Sequence, residues 1–566
     1  MSILRSAKRR LTLATISASA LLSAPSLITP AHACGGFFCN ANLPVTQSAE
    51  RVVFARVEGQ LHMHVQINYQ GPPTSFGWLL PTSPRVETAI SSEAFFSALD
   101  RLYGPRFNLE YQYDEGCGLL FEDAEPSPPS ANGGEGGPTV QVLSREAIGP
   151  YDRAILLPDN VQVLRDWLDA NGYQIPSDID AKLQPYVDLG SAFVAIKLLP
   201  GLDAGDIVPL RLSFPGDRPS IPIIPTSVAA DPDMGVIVHV LDEARAVPVN
   251  YSHVTINEAA IDWLNQGRNY PDVVSQAVDE AGGRAFVTDY AGEVGDQLTG
   301  VLSPYSEGLL SQVSQASTLY QLMDIFDDRT NPDLHRVLGN FAEVPEGQDP
   351  SQFFRCVECY SDSDQPIDGA QIAEALRTEV NEVYEQLNEV IAQTPYVTRL
   401  YSTLSAEEMD RDPSFSINPD LESVSNVHTA TAQVSCTQDP YTEEITITLA
   451  DGRSFTAEEA TPVVRQDGET IRGQDVPAAA TIEQMYEAGQ PELLMERDPE
   501  EMTPASEGPT AGAEDSADGG STSESSGGDV EEKGCQQRSA TPSLLALMLL
   551  MLSLLHRVTR VAREVR

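Results

Sequence analysis

From Gln60 to Tyr69 the chain alternates without a break. Leu61, Met63, Val65, Ile67 and Tyr69 fall on one side, and His62, His64, Gln66 and Asn68 on the other. A period of two sustained this long demands a β-strand with one face buried, because residues two apart on a helix point in different directions. Gly71-Pro72-Pro73 ends the strand. Glu58-Gly59 supplies turn chemistry between it and the apolar run Arg51 to Val57, so the two read as neighbouring strands.

The same reading extends along the chain. Strands are expected at Phe76 to Leu80, Arg106 to Tyr113, Val140 to Val142, Ala154 to Leu157, Ala192 to Leu199, Ile207 to Phe214, Val236 to Leu241, Val247 to Ile256 and Ala285 to Tyr290. Helices are expected from Ser92 to Leu102 and, capped by Asn160, from Val161 to Ala170. Glu125 to Pro138 has the composition of a flexible loop. Beyond residue 300 the pattern changes. Leu309 to Asp327 is helical, and Asp368 can cap a long amphipathic helix to Gln393 with Ile372, Leu376, Val380, Val383, Leu387, Val390 and Ile391 on its apolar stripe. Ser405-Ala406-Glu407-Glu408 reads as a capping box. Glu444 to Leu449, Asp451-Gly452 and Ser454 to Thr456 read as a terminal hairpin. The fold class is α+β: a β-rich domain over residues 34–300, then a mixed α+β region over 301–495.

The ends read differently. Arg5, Lys8, Arg9 and Arg10 precede an apolar run and the small-x-small site Ala31-His32-Ala33, the three parts of a secretory signal over residues 1–33. The mature chain then starts at Cys34, for which an ordinary cleavage site competes with a lipid-anchor site. Residues 496–533 are acidic and rich in Ser, Gly, Thr and Pro, the composition of a disordered linker. Gly534-Cys535, the apolar run Leu544 to Leu555 and the spread Arg557, Arg560, Arg563 and Arg566 form an anchor or sorting segment over 534–566. The run is short for a full membrane span, which takes about 20 residues.

The net charge of −48 argues against nucleic-acid binding and favours cations. Besides Cys535, six cysteines remain: Cys34, Cys39, Cys117, Cys356, Cys359 and Cys436. An even number in an oxidising compartment reads as a disulfide framework. Cys356 and Cys359 form a C-x-x-C, which also fits a redox pair or half a zinc site. His62 and His64, two apart on one strand face, can present two imidazoles to a metal such as zinc, with a third ligand from elsewhere. Asp362, Asp364 and Asp368 suggest a calcium loop, but Ile367 stands where an EF-hand needs glycine. Trp78 and Trp167 lie in apolar patterns and read as core. No G-x-S-x-G, H-E-x-x-H, Walker loop or G-x-G-x-x-G occurs.

Several blocks together resemble the bacterial family known as domain of unknown function 2330. They are Cys34-Gly35-Gly36-Phe37-Phe38-Cys39, "QSAERVVFA" at Gln47 to Ala55, "VQINYQG" at Val65 to Gly71, "FGWLLP" at Phe76 to Pro81, Trp167-Leu168, "FVAIKL" at Phe193 to Leu198 and the Pro219 to Pro225 run. The resemblance spans roughly residues 34–300 and implies no activity. The C-terminal tail is similar to MYXO-CTERM sorting signals, which implies processing at Cys535 and display at the cell surface. The expectation is an exported, envelope-anchored, disulfide-stabilised surface protein that binds or scaffolds an extracellular protein, glycan or cation, touching the membrane through its C-terminal segment. The alternative is an envelope enzyme, either a C-x-x-C redox protein or a metal-dependent hydrolase.

Overall fold

Val52, Val53, Phe54 and Ala55 are consecutive apolar residues, and all four are buried. A strand buries successive residues only when both of its faces are covered. Strand Thr46–Val57 meets that condition inside a ten-stranded sheet, parallel to Ala230–Asp242 and antiparallel to Gln60–Gln70. Val52 and Phe54 share a core with a second sheet, while Val53 and Ala55 share one with a layer of helices. The computed structural model describes residues 46–504 except 71–75, 114–141, 174–178, 201–206, 217, 346, 361–363, 437–442, 458–462, 465–469 and 472–475. The described residues fall in one compact unit that runs to Ser506.

From edge to edge the main sheet runs Glu492–Glu496, Ala479–Gln484, Ser252–Ile256, Ala285–Glu293, Tyr396–Leu404, Ala230–Asp242, Thr46–Val57, Gln60–Gln70, Leu210–Pro215 and Glu87–Ile90. This order corrects the expected boundary at residue 300. Strand Tyr396–Leu404 is wedged between Ala230–Asp242 and Ala285–Glu293, and Ala479–Gln484 pairs with Ser252–Ile256. Strand Val427–Cys436 runs parallel to Arg106–Tyr113 in a separate four-stranded sheet. The two stretches therefore build shared sheets, and the chain folds as α+β across the boundary.

The second sheet orders Gly77–Thr82, Ala192–Leu198, Tyr151–Leu156 and Val142–Ile148. One face gives Trp78, Leu80, Val194 and Ile196 to the core shared with the main sheet. Its other face gives Leu79, Leu156 and Phe193 to a core with helices Val161–Ala170 and Ile179–Asp188, where Trp167 is buried. Asn160 caps the first of these helices, its side chain accepting from the Val163 amide at 2.9 Å.

Beyond residue 300 several local expectations hold and several shift. The hairpin forms from Glu443–Leu449 and Ser454–Ala457, with Gly452 at a φ of 90° in its turn. The long helix forms as Gly369–Leu376, a π turn Arg377–Asn381, and Glu382–Ile391. A π turn inserts one residue and rotates the face beyond it, so Tyr384 is buried with Leu387 and Ile391, whereas Val383 and Val390 lie only partly buried. The helix expected from Leu309 to Asp327 is two, Glu307–Val313 and Leu319–Met323. The Ser405 capping box is half made. Glu408 Oε2 accepts from the Ser405 amide at 2.8 Å, but a turn follows and not a helix. The acidic linker also starts later than expected. Glu496 ends a strand, and the Met502 carbonyl accepts from Asn257 and Arg453 at 2.9 and 3.0 Å.

Helix Glu93–Tyr103 lies over the main sheet and is fixed at its start by Asp333, which is 3% exposed. The Asp333 carboxylate accepts from Ser92 Oγ at 2.6 Å, from the Glu93 and Ala94 amides at 3.1 and 3.4 Å, and from Tyr384 Oη at 3.1 Å. Ser92 in turn caps the helix by accepting from the Phe95 amide at 3.0 Å. One carboxylate thus satisfies amides that a helix start leaves orphaned and joins three helices. Asp333→Ala strips several buried donors of their acceptor at once and is expected to cost about 3 kcal/mol, read as a lower urea midpoint with an unchanged slope.

Candidate functional site

The face of strand Gln60–Gln70 expected to meet solvent is covered instead by helix Glu93–Tyr103. His64 is 1% exposed, and its Nδ1 lies 2.7 Å from Ser91 Oγ. His62 Nδ1 lies 2.8 Å from Ser213 Oγ. Burial lowers both imidazoles, His64 far below the usual range, and Arg211 pushes each further down. Among the described residues no group of three or more His, Cys, Asp or Glu could hold a metal ion, so no third ligand joins this pair there. The calcium reading fares similarly. Asp364 accepts from the Tyr320 amide at 3.0 Å, Asp368 caps Gly369–Leu376, and Asp362 lies outside the described residues.

His64 belongs to a longer polar row. Cross-strand register places Arg211, His64, Val53, His239 and Arg399 side by side on four neighbouring pairings. His239 is 1% exposed, and among the described residues neither ring nitrogen has a hydrogen-bond partner. Burial holds its pKa well below the usual value, and Arg399 and Arg51 add to that. Arg399 is also enclosed. Its guanidinium bonds the fully buried Asp289 carboxylate and lies 3.7 Å from Asp100, while Tyr270 Oη donates to Asp289. Arg51 donates to Asp100 at 2.6 Å and lies 3.8 Å from Glu93. Asp289 reaches this cluster from an irregularity in the register between Thr288 and Tyr290, where an extra residue re-aims a side chain. The cluster joins strands Thr46–Val57, Ala285–Glu293 and Tyr396–Leu404 to helices Glu93–Tyr103 and Tyr270–Glu280.

Two other polar centres lie apart from it. His253 is buried, with Nδ1 3.1 Å from Glu483 and Nε2 3.0 Å from Thr288 Oγ1. Tyr186 Oη donates to Asp412 at 2.7 Å, and burial raises the Asp412 carboxyl to about 6. Sequence reasoning missed His239, Arg399 and Asp289. Their signal was a polar residue inside a run apolar on both faces, as in Val236 to Leu241.

Cys356 and Cys359 are joined by a disulfide, with Cα atoms 5.3 Å apart. The pair follows the C-terminal end of helix Pro350–Arg355. Reactive C-x-x-C thiols gain from a helix N-terminus, whereas a helix C-terminus disfavours the thiolate. Glu358 between them pairs with Arg329 at 2.8 Å. Cys436 ends strand Val427–Cys436. Cys34, Cys39, Cys117, Gly534 and Cys535 lie outside the described residues, as do the secretory and C-terminal segments. Among the described residues no helix is long and apolar enough to cross a membrane.

Fold and site together describe a layered α+β body with an enclosed polar cluster. The chain belongs to the family of uncharacterised proteins conserved in bacteria called domain of unknown function 2330, whose model matches residues 28–317. No curated protein and no solved structure matches it.

Burial disfavours the charged forms of His64, His239 and His253 in the folded chain, whereas each protonates freely when unfolded. Their folded pKa values are depressed, so the unfolded chain takes up more protons below pH 6.5, and stability falls as pH drops through that value. Each group contributes up to about 1.4 kcal/mol per pH unit. Asp412, raised in the folded state, acts in the opposite direction below about pH 6. His239→Leu is therefore expected to flatten the stability profile between pH 6.5 and 5.5 by about one proton, measured by urea unfolding at stepped pH. An unchanged slope contradicts this.

Proposed function

We propose that this chain is an exported protein of the bacterial cell envelope, tethered by its C-terminal segment, that presents a rigid body outside the cytosol to bind or scaffold a partner. The observation that carries this reading is the bracketing of the body by two address signals. A basic, apolar and Ala31-His32-Ala33 start stands at one end. An acidic stretch, Gly534-Cys535, an apolar run and an arginine-rich end stand at the other. The closed Cys356–Cys359 disulfide suits an oxidising compartment. The large negative charge keeps such a surface protein soluble and lets it attract cations or basic segments. The polar groups gathered inside the body bond its own elements to one another, which favours a supporting role for them over chemistry on a substrate.

Expression with the native signal tests the proposal. The product is expected in the envelope fraction with Cys34 as its first residue, and a chain ending at Lys533 is expected in the medium. Recovery of residues 1–33 on a soluble cytosolic product, with Cys356 and Cys359 reduced, contradicts it.

A further inference from the structure

Strand Glu492–Glu496 is the edge of the main sheet, and among the described residues it pairs only with Ala479–Gln484. Its outer row of backbone groups is free to pair, as on any sheet edge. Edge strands are usually kept polar, yet Leu493 and Leu494 here are 51% and 54% exposed. The register shifts beside them, and such an irregularity breaks the strict alternation of faces, so two consecutive leucines meet solvent.

The strand is held firmly at both ends. Tyr486 Oη donates to Glu492 at 2.6 Å. The turn before it is gripped by Asn418, which donates to the Tyr486 and Gly489 carbonyls at 2.8 and 3.0 Å, and by Asp420, which accepts from the Gly489 amide at 2.7 Å. After the strand, Arg497 donates to the Ala479 carbonyl at 3.1 Å and to Glu280 at 2.9 Å. A shallow cleft of about 530 Å³, lined by Arg218, Asn250, Ser414, Met485, Tyr486 and Glu487, continues from the same corner. A fixed edge loses little freedom when a strand is added to it.

Charge selects the occupant. The apolar centre of the strand is flanked by Glu492 and Glu496, with Glu487 before it and Asp498, Glu500 and Glu501 after it. A second copy paired here sets glutamate beside glutamate whichever way it runs, and like charges facing across strands destabilise a pair. The whole chain, at −48, repels its own kind besides. An extended segment with apolar residues between basic ends matches both features.

We propose that strand Glu492–Glu496 is a strand-addition site for a basic, apolar, extended segment of a partner protein. This deepens the binding role proposed above but does not depend on export, because it is tested on purified protein. The full chain is mixed with a synthetic nonapeptide of alternating valine and threonine with Lys-Arg at each end, and with a control carrying Glu-Asp ends. Hydrogen exchange is followed at the outward amides of strand Glu492–Glu496, those not bonded to Ala479–Gln484. Protection is expected with the basic peptide alone, weakening as salt rises. Leu493→Lys with Leu494→Lys, both at exposed positions, is expected to bind about tenfold more weakly or worse with the fold unchanged by circular dichroism. Four results overturn the proposal: slow exchange before any peptide is added, equal protection by the acidic control, unaltered binding by the double variant, or a dimer that protects the strand. None of them bears on export, which fractionation decides separately.

Discussion

Arg399 carries its charge in the middle of the main sheet, held by Asp289 from the neighbouring strand and by Asp100 from the helix above. A buried ion pair adds little net stability over an apolar pair of the same size, but losing one partner strands the other, at about 3–5 kcal/mol. Its effect is therefore one of placement. Only one register of strand Tyr396–Leu404 sets Arg399 against those carboxylates, because a slip of one residue turns every side chain to the opposite face. That strand closes the gap between Ala230–Asp242 and Ala285–Glu293. The continuity of the sheet depends on it, and with it the layering of helices, main sheet, second sheet and outer helices.

This explains which parts of the fold were legible in the sequence. Features decided within a short window came through: the Asn160 cap, the helix after Ser92, the alternation at Gln60 to Tyr69 and the Asp451-Gly452 hairpin. Pairings between distant segments did not. Nothing local in Tyr396–Leu404 says that it inserts between strands formed more than a hundred residues earlier, so a change of pattern near residue 300 read as a boundary. The face carrying His62 and His64 was assigned to solvent for the same reason. Alternation shows that two faces differ, and a helix held over one of them by Asp333 lies outside any window. The enclosed cluster was illegible because each member looks like an isolated polar residue in an apolar run, and only register brings His239 beside Arg399.

The family match ends at residue 317, well before Tyr396, so the matched stretch alone lacks a strand from the interior of its own sheet. The later sequence is structural for the earlier part. It also supplies the edge strand Glu492–Glu496 of that sheet.

Equilibrium urea unfolding of the whole chain, followed by two probes at once, tests the central claim that both stretches form one cooperative unit. Trp78, Trp167 and Trp263 all precede residue 300 and report by fluorescence on the first stretch, while hydrogen exchange across Gly369–Leu376 and Glu382–Ile391 reports on the second. Coincident midpoints are the predicted result. Loss of exchange protection at lower urea, with the tryptophan signal still native, would contradict it.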